Sequence, residues 1–233
     1  MNGAQLLARA RKYMDDFVEP YYTPDDELYL YLSEAERQLA LAGKLIRDIR
    51  RYTAKTGKRW LDLREEPEIM EFRTAWLELS PGAQRFELLL RGVMDATPAI
   101  RPYYDDYGAV ASAGSLPSGR PQMLRFGART NFAELIPIPD KDYVVEASMV
   151  FYPESPISTA TSLPQIAERY HQHIPIGGAL LAMEAMKHEY PPQKIENLET
   201  AWQQVLFRVQ KESGEMNRDA SVVRFRNDMW ELA

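Results

Sequence analysis

Residues 20–48, PYYTPDDELYLYLSEAERQLALAGKLIRD, decide how the chain is read. Thr23 and Pro24 stand where a helix cap and a first helical residue belong, and Asp25 and Asp26 follow where the helix dipole favours negative charge. Leu28, Leu32, Ala35, Leu39, Ala42, Ile46 and Ile49 then recur at steps of four and three, which draws one apolar stripe. Glu27, Glu34, Arg37, Gln38, Lys44 and Asp48 fall off it. The spacing predicts an amphipathic helix with a buried stripe. Gly43, which costs about 1 kcal/mol relative to alanine inside a helix, marks a stop or a kink.

Upstream, Asn2 with Gln5 three residues later is a helix start, and Leu6, Ala10, Tyr13 and Phe17 follow at helical spacing. A short aromatic turn over residues 19–23 joins the two helices and makes them neighbours.

Downstream the period changes to two. Residues 59–63, 69–76, 86–90, 123–126, 132–138 and 143–152 read as strands, the last by strict alternation of Tyr143, Val145, Ala147, Met149 and Phe151. Pro139-Asp140-Lys141-Asp142 is turn chemistry, so residues 132–152 read as a hairpin. Residues 105–121, DDYGAVASAGSLPSGRP, have the composition of a long loop, with Tyr107, Leu116 and Arg120 as its contact candidates. Helical spacing returns after Pro164. One short helix runs to Tyr170, and a second from Pro175 carries Ile176, Leu180, Met183, Met186 and Tyr190 on one face. A third carries Ile195, Leu198, Trp202, Val205 and Val209. The tail after Gly214 is too short to bury its own Val222, Val223, Phe225, Met229 and Trp230. With Arg224 and Arg226 it has the mixture that carries energy at interfaces.

The fold class expected is α+β. The helices of residues 1–50 and 163–213 would close into an antiparallel bundle, residues 51–162 would form a β-rich insertion with its loop near 105–121, and residues 214–233 would be an extended docking tail.

A chain of 233 residues that is 45% hydrophobic can bury a full core, and its formal charge of -6 argues against gripping nucleic acid by its phosphates. With no cysteine, disulfides, thiolate metal sites and a cysteine nucleophile are excluded. No apolar run suggests a signal peptide or a membrane span, so a soluble, cytoplasmically made protein is expected.

His171 and His173 are the one cluster of metal-ligand type, without a third ligand at a recognisable spacing. Asp25-Asp26, Asp105-Asp106 and Asp140/Asp142 are paired carboxylates beside turns or helix starts, where aspartate already has a structural use. No nucleophile elbow and no phosphate-binding glycine loop is present. Arg47, Arg50 and Arg51, with Lys55, Lys58 and Arg59, form the basic concentration, read as a solvated or subunit-facing surface.

The Pro-Tyr turn, the Asp-Asp-Glu-Leu helix start with Tyr-Leu-x-Glu-Ala-x-Arg, and the closing Ile-Arg-Asp resemble the start of tailed-bacteriophage head-to-tail adaptor proteins. Residues 52–63 (YTAKTGKRWLDL), 134–140 (ELIPIPD) with the strand that follows, and Tyr170-His171 before a small-residue helix are similar to later passages of that family. The resemblance implies a non-enzymatic virion protein without cofactor or metal, forming a ring, commonly of twelve copies, between the portal and the tail nozzle or tail tube. The ring would extend the DNA channel, let double-stranded DNA through without specific binding, and serve genome retention and ejection. On that reading the tail residues Val222 to Arg226, Met229 and Trp230 meet the portal, and Tyr21, Tyr22, Tyr29, Tyr31, Arg47, Arg50 and Arg51 are subunit contacts. The loop residues face the tail. Two alternatives stay open: a small metal-dependent hydrolase using His171 and His173, and a host scaffold protein that binds partners through its tail.

Overall fold

The structure, a computed structural model, describes residues 1–19, 21–66, 68–78, 85–92, 118–129 and 131–214. Two compact units divide it, one of residues 1–46 with 151 onward and one of residues 47–150. The expected bundle of N- and C-terminal helices carrying a β-rich insertion is not what the chain builds. A large, nearly closed mixed sheet makes one unit, and in the other the helices gather around a central one.

The sheet unit holds β1 (Arg47–Ala54), β2 (Trp60–Asp62), β3 (Ile69–Glu78), β4 (Arg85–Gly92), β5 (Ser118–Gly119), β6 (Met123–Arg129), β7 (Phe132–Ile136), β8 (Ile138–Pro139) and β9 (Tyr143–Phe151). Seven of these form one sheet in the order β1-β9-β3-β4-β6-β7-β2, and β5 pairs with β8. The edge strands β1 and β2 lie against each other, which nearly closes the sheet. β4 and β6 are parallel, from Leu89 opposite Met123 to Gly92 opposite Phe126. Most of the loop expected over residues 105–121, namely residues 105–117, lies outside the described residues.

The hairpin expected over residues 132–152 does not form. β7 is paired on both sides, by β6 and β2, while β9 is antiparallel to β1 from Arg47 opposite Val150 to Ala54 opposite Tyr143. Asp140 serves its own turn, accepting from the Tyr143 hydroxyl at 2.6 Å, whereas Asp142 reaches the turn after β1 and accepts from Thr56 N and Oγ1 at 2.8 and 2.9 Å. Burial and the Asp140 carboxylate push the Tyr143 hydroxyl up to about 12.

The helical unit holds α1 (Gly3–Met14), α2 (Asp25–Gly43), α3 (Glu168–His171), α4 (Ile174–Ala185) and α5 (Pro192–Glu212). α4 is apolar on nearly every side and is the centre of the unit: α1, α2 and α5 each pack on it. Gly177 and Gly178 make the close approach possible, since a Cβ at Gly177 would lie 2.6 Å from the Trp202 ring and one at Gly178 2.7 Å from Leu32. Leu28, Leu32, Ala35 and Leu39 of the α2 stripe are fully buried.

The stripe ends sooner than its spacing suggests. α2 stops at Gly43, Lys44 takes the left-handed conformation (φ 47°), and Ile49 goes into β1 rather than the helix. Eight paired residues against β9 outweigh one more helical turn across a glycine. Thr23 does not cap α2 through its side chain. Its backbone joins a network described below.

Glu36 is a fully buried acid on α2 that the stripe does not announce. Its Oε1 accepts from Gln165 N at 2.5 Å and Ile166 N at 3.2 Å, while Oε2 is buried without a partner. Burial raises its pKa despite the two amides. A raised carboxyl binds its proton more tightly in the folded chain, so its stabilising effect is complete below the ordinary glutamate range and is lost as pH rises through the folded value. Glu36→Gln keeps the accepting oxygen, and is expected to gain stability relative to the parent at pH 7 but not at pH 4, as measured by urea unfolding at the two pH values.

Candidate interaction surfaces

The turn between α1 and α2 is built around one buried cation. Arg11 donates to Asp16 Oδ2 at 2.7 Å, to the Thr23 carbonyl at 3.0 Å and to the Asp25 carboxylate, and its guanidinium lies 3.5 Å from the centre of the Tyr21 ring. Asp16, itself buried, accepts from Tyr22 N at 3.2 Å. Asp15 ends α1 in the left-handed conformation (φ 59°), and Lys194 reaches from α5 to the Met14 carbonyl at 2.9 Å and Asp15 Oδ2 at 2.6 Å. Tyr22 meets Tyr190 edge-on at 6.1 Å, and burial beside Asp16 pushes the Tyr190 hydroxyl up to about 12.

On this clamped turn Phe17, Val18 and Tyr22 stand 60%, 79% and 59% exposed. Three large apolar side chains on a rigid turn have the make-up of a contact surface rather than a core edge. Phe17 and Tyr13 were expected on the buried stripe of α1. The buried stripe is instead Leu6, Ala10 and Met14, and Tyr13 is exposed. The available signal was Asp15-Asp16, an acidic pair that breaks the helical pattern before Phe17. Phe17→Ser with Val18→Ser is expected to leave the melting temperature within about 2 °C, because exposed positions away from caps and cores change stability by less than about 0.5 kcal/mol.

The other predicted residues divide. Tyr29 and Tyr31 pack half-buried on the helical core, and burial raises both hydroxyls. Arg47 is exposed on β1. Arg50 pairs with Asp48 at 3.2 Å and Glu66 at 3.3 Å, and Arg51 donates to Glu146 at 2.8 Å, so the basic concentration is largely tied into its own sheet. Arg59, from the same segment, pairs with buried Glu134. Arg120 lies 4.2 Å from the centre of the Phe86 ring. Tyr107, Leu116, Val222, Val223, Arg224, Phe225, Arg226, Met229 and Trp230 lie outside the described residues.

His171 and His173 do not come together as a ligand pair. His171 is buried, its Nε2 2.8 Å from the Ile166 carbonyl and its Nδ1 3.0 Å from the Met1 amine, so both ring nitrogens are engaged. Burial, with Arg208 nearby, lowers the pKa of His173. Among the described residues no three acidic, histidine or cysteine side chains group around a point where a metal ion would sit, and no helix is long and apolar enough to cross a membrane.

The described residues thus hold a clamped turn with exposed Phe17, Val18 and Tyr22, and a sheet laced by internal ion pairs. A family model described as SU10 adaptor protein matches residues 1–226, and the chain belongs to that family. It is therefore a structural adaptor of a bacteriophage particle, from a family that is generally non-enzymatic and whose role implies contact with portal and tail components. A search of curated proteins gave no match.

Proposed function

We propose that the chain is the head-to-tail adaptor of its virion, made in the host cytoplasm and assembled as a ring, most simply of twelve copies, between the portal and the tail nozzle or tail tube. The ring extends the channel through which double-stranded DNA passes, and joins head to tail firmly enough to retain the genome until ejection. The observation that carries this is the family match over residues 1–226. Two further facts support it. The formal charge of -6 suits a channel that must not hold phosphate, and the exposed apolar turn offers a contact between copies.

In this reading the segment after Gly214, with Val222 to Arg226, Met229 and Trp230, docks on the portal, and many copies of one modest contact make a tight joint. Tyr22 on the helical unit, and Arg47 and Arg51 on the sheet unit, are exposed and serve as subunit contacts. Tyr21, Tyr29, Tyr31 and Arg50, half-buried, shape the surface of the unit each belongs to. Tyr107, Leu116 and Arg120 face the tail.

Deleting residues 216–233 is expected to leave melting temperature and circular dichroism unchanged while particles lose the adaptor and its genome-retaining junction. Electron micrographs of heads from a phage carrying the truncation check this, and normal junctions would sink the portal-docking assignment.

A further inference from the structure

α5 has a second, outer face. Trp202, Val205 and Val209 form its buried stripe, turned towards α2 and α4, since Trp202 meets Gly177 and Gln38 and Val209 adjoins Gly43. At about 3.6 residues per turn Phe207 falls on the opposite side, with Gln203 and Lys211 one turn away in either direction. Phe207 is 55% exposed, and Gln203, Gln204, Arg208 and Lys211 around it are exposed too. The glutamine amides offer donors and acceptors to a backbone laid alongside, and Arg208 and Lys211 add positive charge.

The chain itself leads back to this face. Just past α5, Gly214 takes the left-handed conformation (φ 78°), which turns the backbone off the helix axis, and residues 215–233 follow. The seven helical steps from Gly214 back to Phe207 span about 10 Å, while the eight steps from Gly214 to Val222 reach up to about 28 Å when extended. The segment is therefore long enough to reverse and lie along α5. Its first part carries Glu215 and Asp219, which would pass Lys211 and Arg208. In an extended chain Val223 and Phe225 then share one side and Arg224 and Arg226 the other. That alternation offers apolar groups to Phe207 and keeps the arginines away from the cations of α5.

We propose that, before a portal is met, residues 215–233 dock on the outer face of their own α5, with Val223 and Phe225 against Phe207. This rests on the reading of the segment as the portal-docking tail and adds the site that it leaves. The apolar side chains of the segment are then covered in unassembled copies, which keeps free chains from joining one another through them. A tethered segment meets its site at a local concentration on the order of millimolar, so a weak contact suffices to hold it. The portal, offering each copy a stronger site, takes the segment by exchange. The contact lies on the side of α5 away from the core, so the fold does not depend on it.

The chain has no cysteine, so introduced thiols report this contact without background. Asn227 shares a side with Val223 and Phe225 in an extended chain. Gln203→Cys with Asn227→Cys in one full-length chain is expected to give an intramolecular bismaleimide link in dilute, unassembled protein, read by mass spectrometry. Leu41→Cys with Asn227→Cys is the control, because Leu41 is exposed on α2 close to Gly43, which adjoins Val209, and is within reach of the same segment but off the α5 face. The control yield is expected to be at least about fivefold lower, and Phe207→Ser is expected to lower the yield of the first pair by the same factor, equivalent to about 1 kcal/mol of lost contact. Adding heads that carry the cognate portal is expected to abolish the link in copies that join them. If the link in dilute protein is absent, equals the control, survives Phe207→Ser or forms only between chains, docking on α5 is overturned, whatever the truncation does on heads. If the link forms as expected but persists in copies joined to heads, docking on α5 stands and the portal reading of the tail fails.

Discussion

Arg125→Ala is expected to lower the melting temperature by roughly 10 °C, from a loss of about 3 kcal/mol. Glu134 on β7 is fully buried, and its carboxylate is held between Arg125, its cross-strand neighbour on β6, and Arg59, beside β2. Both guanidinium groups keep some contact with water, at 17% and 31% side-chain exposure. They bring positive charge from the rim to an acid that cannot reach solvent. Removing one leaves a buried carboxylate half-compensated, and that desolvation, more than the lost attraction, is the cost. The combined change Arg59→Met, Glu134→Leu and Arg125→Met removes the buried charge together with its partners and is expected to cost much less. Thermal and urea unfolding of the two variants separates these effects. Equal losses would show that the triad does not act through desolvation.

Trp202→Ala is expected to cost about 3–5 kcal/mol, the range for emptying an aromatic site in a core. The indole fills the space over Gly177 of α4, and its Nε1 donates to Gln38 of α2, so one side chain of α5 joins three of the five helices. Its truncation removes ring contacts with α4 and leaves Gln38 without its donor. Gly177→Ala alone is expected to cost about 1–3 kcal/mol through overpacking. In the Trp202→Ala background its cost should shrink, since the two changes occupy the same space. A double-mutant cycle measured by denaturant unfolding checks both numbers, and additive costs would place the ring elsewhere.

Much of the element inventory was legible before the structure. The Asn2-Gln5 capping box forms as its spacing implied, the α2 stripe is buried from Leu28 to Leu39, about three turns, and strands appear at each of the alternating stretches. Strand partners were not legible. Alternation in residues 143–152 states that β9 has two faces, but nothing local says that β1 rather than β7 lies beside it. The α1 stripe was misjudged by one position because Tyr13 and Met14 are both apolar, and only the left-handed turn at Asp15 decides between them. Arg11, Glu36 and Glu134 were invisible for a shared reason. Charged residues are read as solvated, and their burial depends on partners far along the chain, such as Arg59 and Arg125 for Glu134 and the Gln165 and Ile166 amides for Glu36.

The central place of α4 bears on the order in which the protein is made. α1 and α2 are made before the sheet, yet the helix that covers their apolar faces is encoded after the whole of β1 to β9. During synthesis the sheet can acquire all its strands while Leu28, Leu32 and Leu39 still lack their cover. The sheet is thus free to finish before the helical unit, whose core closes only when residues 174–185 have been made.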